Sequence, residues 1–163
     1  MDPISAGLKG IDIRGGEQVK MVTKPWGWEK WLAHGKPEFP YAFKMIHIKA
    51  PHRTSLQFHR YKQESIYLLS GKARLHYSDA AIDAERFAKG GYSPAETEAI
   101  VAGLKTRPFN PGETLHVMPC HLHRMEALED ITMLETSTTE LDDVFRVQDD
   151  AKRAHGHIPG EHK

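Results

Sequence analysis

Polar residues whose side chains can bind metals occur at regular spacing in two parts of the sequence. Gln57 and His59 lie two residues apart in SLQFHRYKQESIYLLSG, and Glu64 follows five residues after His59. Far downstream, PCHLHRME contains His121 and His123, again two residues apart. Because alternate side chains of a β-strand share a face, each pair points to one side of its strand. Glu64 follows a short turn, so it can return on a neighbouring strand opposite the first pair.

Two imidazoles and one carboxylate could donate to a single metal ion if the strands carrying His59, Glu64 and His123 enclose one interior. This donor set suits Zn, Mn, Fe, Co or Ni. The amide oxygen of Gln57 would be a neutral fourth ligand. The alternative is a buried polar network in which the four groups satisfy one another without a metal.

The segments around these residues alternate apolar and polar side chains, which is typical of short strands. The pattern covers residues 41–50, 54–59, 65–71, 72–78, 113–119, 123–128 and 131–138, and the Trp-rich stretch KPWGWEKWLAH is a further strand or edge segment. A glycine, Gly71, marks a hairpin-like turn. Six to nine such strands predict an antiparallel barrel or sandwich. The charged segment ELDDVFRVQDDAKR is expected to form a strand and then a helix.

One stretch in the middle of the chain predicts helix instead. Residues 79–106 are rich in Ala, Glu and Lys, and Ser93, Pro94 and Glu96 are typical of a helix start with a capping box. We expect a helix over Pro94–Ala102 that ends at Gly103. This stretch is interpreted as an insertion into a domain spanning residues 21–150, between a flexible arm (1–20) and a tail (151–163).

Composition limits the classes of function. The chain has 163 residues, 22 basic and 22 acidic side chains and one cysteine. A formal net charge of zero argues against a nucleic-acid-binding surface and gives no polybasic membrane signal. No apolar run is long enough to span a membrane, and the N-terminus does not resemble a signal peptide. A lone cysteine excludes an intrachain disulfide, so we expect a reducing, cytoplasmic setting.

The same residues resemble the two motifs of the cupin superfamily. The first motif, G-x5-H-x-H-x3-4-E-x6-G, is matched by His59, Glu64 and Gly71, while Pro51 and Gln57 replace its first Gly and first His. The resemblance implies an antiparallel double-stranded β-helix, the cupin or jelly-roll barrel, which is all-β with the short helical insertion. It also favours one divalent metal, with Zn preferred, over the metal-free network.

The second motif, G-x5-P-x-G-x2-H-x3-N, is matched from Gly112 to His123. Met118, Cys120 and Ala127 stand where the motif has Pro, Gly and Asn. These departures affect turn geometry more than metal ligation.

Glutamine in place of the first motif histidine is similar to phosphomannose isomerases, whose metal is held by Gln, His, Glu and His. The segments KPWGWEKW, RTSLQFHRYKQES and HRMEAL resemble the cupin domain of the bifunctional phosphomannose isomerase/mannose-1-phosphate guanylyltransferases over about residues 24–153. This resemblance implies the metal ligands Gln57, His59, Glu64 and His123. It also implies an aldose–ketose isomerase that acts on a phosphorylated sugar, with mannose-6-phosphate as the type substrate.

The resemblance also implies roles for basic residues. Arg53, Arg124 and Arg146 match basic motif positions and are candidates for holding the sugar phosphate, because Arg binds phosphate in a bidentate manner. Candidates for the base that moves a proton between C1 and C2 are His121, Lys44 or a metal-bound water. The C-terminal motif departs from the family at Gln148, Ala151 and Lys152.

Two other functions remain open. One is a non-catalytic cupin that binds a sugar or another metabolite, and the other is an Fe or Ni dioxygenase-type cupin, for which three His plus Glu is the commoner ligand set. We expect a small-molecule substrate, no nucleic-acid or membrane partner, and a homodimer.

Overall fold

A computed structural model describes residues 10–161. The first half of the predicted arm (1–9) and the last two residues lie outside the described part. Within the arm, Gly16–Gln18 forms one turn of 3-10 helix, and the first strand begins at Lys20.

Eleven strands in the described residues form two antiparallel sheets. In chain order they are β1 Lys20–Lys24, β2 Gly27–His34, β3 Ala42–Ile48, β4 Leu56–Phe58, β5 Glu64–Ser70, β6 Ala73–Ala81, β7 Lys105–Phe109, β8 Thr114–Val117, β9 His121–Ala127, β10 Ile131–Ser137 and β11 Phe145–Gln148. The six-stranded sheet has the order β1-β2-β3-β10-β5-β8, and the five-stranded sheet has the order β11-β4-β9-β6-β7. The predicted all-β class is confirmed, with the two sheets enclosing one interior.

The predicted short helical insertion is present and contains two helices. The helix α2 runs Pro94–Ala102 with the Ser93–Glu96 capping box, as expected, and a shorter helix α1 spans Ala84–Ala88. The ends of the stretch belong to the sheet instead, because β6 continues to Ala81 and Tyr77 pairs with Lys105 of β7. The helix expected after β11 does not form in the described residues, where 149–161 adopt turns and irregular structure.

Strict alternation of burial places apolar side chains between the sheets. In β3 the buried face carries Ala42, Lys44, Ile46 and Ile48, whereas their neighbours are half-buried. The main core lies around Ile48, Leu68 and Ile131, which are fully buried. A second apolar cluster packs the helices on the five-stranded sheet. Each such side chain contributes about 1.5–3 kcal/mol on burial, so these clusters supply the rigidity on which the polar interior depends.

Two turns require a left-handed backbone conformation. Gly71 has φ +91°, and a Cβ there would collide with the carbonyl oxygen of Asp130. Cys120 has φ +67°, so a cysteine occupies a conformation that favours glycine. This agrees with its place at the glycine position of the second motif. No helix in the described part of the chain is long and apolar enough to cross a membrane.

Candidate metal centre

The predicted metal ligands come from both sheets and meet between them. His59 directly follows β4, and His123 lies on β9 of the same sheet, where it is the register partner of Gln57. Glu64 is the first residue of β5 in the opposite sheet. The fold therefore brings together residues 64 positions apart, as the sequence predicted.

Three ligand atoms converge. His123 Nε2 lies 2.7 Å and His59 Nε2 lies 3.4 Å from Glu64 Oε1. The three ligand atoms all lie within 4.8 Å of one another, and all three residues are buried. Among the described residues, this is the one group of three or more His, Cys, Asp or Glu side chains with such spacing.

The outer nitrogen of each imidazole is held by the backbone. His59 Nδ1 lies 2.6 Å from the carbonyl oxygen of Asp143, and His123 Nδ1 lies 3.1 Å from that of His121. A carbonyl oxygen only accepts, so each Nδ1 carries the donated hydrogen, and Nε2 of the neutral ring presents a lone pair inward. This is the ring orientation that a metal ligand needs.

Neither inward nitrogen has a hydrogen-bond partner. His59 Nε2 and His123 Nε2 are buried, and although both lie near Glu64 Oε1, neither makes a hydrogen bond of acceptable geometry. Buried polar atoms without partners are rare because their desolvation is not compensated. Two imidazole nitrogens and one carboxylate oxygen fit a divalent ion of the Zn, Mn, Co or Ni type.

The Gln57 side chain is half-buried beside the three ligands. Its Oε1 accepts a 2.6 Å hydrogen bond from the hydroxyl of buried Ser55. With this orientation of the amide, the oxygen has a second lone pair and can still accept another partner.

A buried lysine in the turn before β5, Lys62, places a positive charge beside Glu64. Lys62 Nζ lies 2.6 Å from Glu64 Oε2 and 3.3 Å from Glu135 Oε1. Burial alone raises the pKa of Glu64, but the Lys62 ammonium outweighs it, with the imidazoles of His59 and His123 adding to the effect when they are protonated, and that pKa lies well below its ordinary value. Glu64 is therefore an anion at neutral pH, as a metal ligand must be.

The turn between the two ligand strands is held by one aspartate. The Asp143 carboxylate accepts hydrogen bonds from the backbone N–H groups of Arg60, Tyr61 and Lys62 at 3.0, 2.6 and 2.9 Å. The same residue supplies the carbonyl that orients His59. The segment before β11 therefore positions the ligands from behind.

A second pair of opposite charges lies on the inner face of the six-stranded sheet. Lys44 Nζ lies 3.4 Å from Glu29 Oε2 and 4.5 Å from the ring centre of Trp31, whose indole also donates to Glu29. Burial raises the pKa of Glu29, but the positive charges of Lys44 and Lys24 outweigh this effect and lower the pKa to about 2. Glu135 is the register partner of Lys44 on β10. Charges thus alternate along this wall from Glu29 to Glu64.

The three candidate phosphate-binding arginines lie in different environments. Arg53 makes a bidentate ion pair with Asp150 at 2.8 and 2.9 Å and does not line the cavity. Arg124 lines the cavity but donates to Thr54 and to Gln148, and burial, with Arg53 adding to it, lowers its pKa to about 10. Arg146 also lines the cavity, and its buried Nε has no partner among the described residues.

The two side chains predicted as bases lie in different places relative to the cavity. Lys44 lines the cavity that contains Gln57, Glu64 and His123. His121 is half-buried at the start of β9, bonds through Nδ1 to the carbonyl of Pro119 at 2.9 Å, and is not part of the cavity lining. Their catalytic roles remain predictions.

Sequence reasoning overlooked three acidic or basic residues of this interior: Glu29, Lys62 and Glu135. Two of them carried a usable signal. Glu135 alternates with Ile131 and Met133 in ITMLETS, and Glu29 occupies the buried face of β2. A charge on an apolar face indicates a functional interior.

Comparison with known proteins adds the fold type. Neither a protein-family model nor a curated protein matches the sequence. Among solved structures, the capsular polysaccharide assembling protein CapF from Staphylococcus aureus has 12% identity and a TM-score of 0.58, over 80% of this chain and 32% of CapF. An oxalate decarboxylase from Lactobacillus farciminis, in a formate complex, has 16% identity and a TM-score of 0.58, over 85% of this chain and 37% of that one. The chain has the cupin fold.

A third cupin-fold structure is closer in size. The ectoine synthase from P. lautus has 13% identity and a TM-score of 0.58, over 79% of this chain and 78% of the synthase. The present chain thus spans about a third of CapF and of the oxalate decarboxylase, but most of the synthase. At these identities the likeness extends to the cupin fold and no further.

Proposed function

We propose that this chain is a metal-dependent cupin that interconverts an aldose phosphate and a ketose phosphate. The pair to test first is mannose-6-phosphate and fructose-6-phosphate, because the Gln57, His59, Glu64 and His123 set resembles that of phosphomannose isomerases. The observation that carries the proposal is the pair of buried, unpartnered Nε2 atoms that face Glu64 Oε1. A divalent ion held by these residues would polarise a sugar carbonyl.

The alternating charges of the cavity wall suit a polyhydroxyl ligand. Hydroxyl groups can donate to the carboxylates of Glu29 and Glu135 and accept from the ammonium groups of Lys44 and Lys62. All four residues line the cavity. An apolar ligand would leave these charges desolvated, which is unfavourable.

Arg146 is the arginine whose environment best supports a phosphate-binding role. Its guanidinium donates to the carbonyl oxygens of Ala154 and Gly156 and has a buried, unpartnered Nε. Burial, with the charge of Arg153 adding to it, lowers the pKa of Arg146, which is the direction expected for a cation that lacks compensation. A phosphate would supply the missing anion.

Proton transfer between C1 and C2 requires an acceptor in the cavity. Glu29 is ionised at neutral pH and holds the Lys44 ammonium, which therefore acts as a donor to a sugar oxygen. We assign the acceptor role to Glu135, which lines the cavity with one oxygen on Lys62. Glu135→Gln should then stop exchange at C2 while the metal remains bound.

The test uses the full chain loaded separately with Zn²⁺, Mn²⁺, Co²⁺ or Ni²⁺. Each sugar phosphate is incubated in D₂O, and the C2 proton is followed by NMR. Exchange and product formation with at least one metal are expected, and Gln57→His should retain the metal but reduce the rate. Neither exchange nor product with any of the four metals and several aldose phosphates would reject the isomerase.

A non-catalytic sugar-phosphate-binding protein is the second candidate. It is favoured by the Glu29–Lys44 ion pair, which occupies a predicted base, and by the position of His121 outside the cavity lining. Tight binding of a sugar phosphate without isotope exchange would support it. Oxygen consumption by the Fe²⁺-loaded protein would instead indicate the dioxygenase alternative.

A further inference from the structure

The two oxygens of Glu64 face different partners. Oε1 faces the Nε2 atoms of His59 and His123 at 3.4 and 2.7 Å, whereas Oε2 lies 2.6 Å from Lys62 Nζ. All four side chains are at most 9% exposed. The carboxylate is therefore divided between a metal-facing oxygen and a lysine-facing oxygen.

Lys62 is itself fixed in place. Its ammonium is shared with Glu135 at 3.3 Å, and its backbone N–H is held by Asp143 at 2.9 Å. A buried ammonium between two carboxylates is strongly retained, because moving it would leave both anions unpaired. Lys62 cannot withdraw from Glu64 without disturbing this network.

We propose that Lys62 is a positioning residue that would keep Glu64 a single-oxygen ligand of a bound ion and would thereby leave room beside that ion for the oxygens of a second ligand. Carboxylates can bind metals through one or both oxygens. A carboxylate bound through both would occupy a position that a sugar needs for its neighbouring carbonyl and hydroxyl oxygens. The inference rests on the metal centre of the proposed function but does not depend on which reaction occurs there.

The test compares the Co²⁺-loaded wild type with a charge-balanced double variant, Lys62→Met with Glu135→Gln. This change removes one positive and one negative charge, so the net charge of the interior is kept while Glu64 Oε2 is released. Glu135→Gln alone is the matched control, because Lys62 still holds Oε2. X-ray absorption and the visible spectrum of Co²⁺ report the ligands directly.

The double variant should gain one oxygen ligand, and the control should not. Acetohydroxamate, which chelates through two neighbouring oxygens, should bind the double variant roughly 10- to 100-fold more weakly than the wild type, the scale found when groups that orient metal ligands are lost. The single variant Lys62→Arg should keep the wild-type spectrum, because a cation still faces Glu64 Oε2.

If the double variant does not fold, Lys62→Leu with Glu135→Leu replaces the ion pair by apolar groups, and the same extra oxygen is expected. An unchanged oxygen count and unchanged acetohydroxamate affinity in either folded double variant would overturn the proposal. Failure of sugar isomerisation alone would leave it standing, since the readouts are ligand number and chelator affinity. Failure of the wild type to bind Co²⁺ would remove both.

Discussion

Two buried polar clusters in this barrel have similar exposure but opposite degrees of pairing. The metal-ligand cluster consists of His59, Glu64 and His123, with side chains 0–9% exposed. The C-terminal ion-pair cluster consists of Lys24, Asp149, Arg153 and Glu161, with side chains 6–11% exposed.

In the C-terminal ion-pair cluster every charge has a partner. Glu161 accepts from Lys24 at 2.7 Å and from Arg153 at 3.1 Å, while Arg153 also forms a bidentate pair with Asp149 at 2.9 and 3.0 Å. In the metal-ligand cluster the two imidazole Nε2 atoms and Glu64 Oε2 make no hydrogen bond of acceptable geometry, although Oε2 lies 2.6 Å from the Lys62 ammonium. Burial alone therefore does not identify a ligand site, whereas buried donors and acceptors that converge without partners do.

The largest expected effect is on metal affinity. His123→Ala removes one of the few metal ligands. A four-ligand zinc site has a binding free energy of about 10–16 kcal/mol, so each ligand contributes about 3 kcal/mol on average. Loss of that amount should weaken metal binding more than ~100-fold. Competition with a chromophoric chelator measures this loss.

His121→Ala is the matched control, since it removes the same side chain two positions away on the same strand. It should bind metal like the wild type. Equal losses in the two variants would show that the effect arises from damage to β9 and not from ligation.

The next effect concerns the charged wall and its pH dependence. The pKa of Glu29 falls from 4.5 to about 2 on folding, which corresponds to about 3 kcal/mol of stability. Because the folded pKa is the lower one, this stability is present above about pH 4.5 and is lost as the pH falls towards 2.

Urea unfolding of the metal-free protein between pH 2 and 5 tests this expectation. Glu29→Gln should remove most of the pH dependence assigned to this carboxyl group. Parallel curves for the wild type and the variant would show that Glu29 is not its source.

The strand patterns, and the meeting of His59, Glu64 and His123, could be predicted because alternation and motif spacing are visible in short stretches of sequence. Alternation placed Gln57 and His59 on one face, and the cap residues Ser93 and Glu96 marked the start of α2. The expected helix after β11 was wrong in the described residues, since charge composition alone does not show whether a segment has a surface on which to pack.

Ion pairs between residues that lie far apart in the chain could not be predicted from the sequence. Lys62 meets Glu135 across 73 positions, and Arg53 meets Asp150 across 97. Both contacts require the strand order and the return of the C-terminal segment, which no single stretch of sequence specifies. For this reason the sequence could not show that Asp150 already pairs with Arg53, one of the three candidates for phosphate binding.

A smaller effect distinguishes Arg146 from Arg53 in binding sugar phosphates. Loss of a charge-assisted hydrogen bond of about 1.5–3 kcal/mol in Arg146→Ala should weaken mannose-6-phosphate binding roughly 10- to 150-fold, with the metal retained. Arg53→Ala, predicted from sequence to behave the same way, should have the lesser effect because Asp150 already occupies its guanidinium. Calorimetric titration of both variants decides between them, and a larger loss in Arg53→Ala would contradict the assignment.

The smallest effect is expected in the C-terminal ion-pair cluster. Glu161→Gln keeps hydrogen-bonding atoms but loses the charge shared by Lys24 and Arg153, so the segment should open more easily by about 1 kcal/mol, or roughly fivefold faster hydrogen exchange in residues 153–161. Exposed Glu140→Gln is the control and should leave exchange unchanged. Metal affinity should not change in either variant, and a loss in Glu161→Gln would mean that the two clusters are coupled.

The most direct test of the metal centre is the metal content of the unmodified full chain. Protein purified without chelator, then loaded with Zn²⁺ and freed of excess ion, is analysed by plasma emission spectroscopy. Convergence of His59, Glu64 and His123 predicts about one divalent ion per chain. A well-folded protein that carries no metal as purified and retains none after loading with Zn²⁺, Mn²⁺, Co²⁺ or Ni²⁺ would contradict the account.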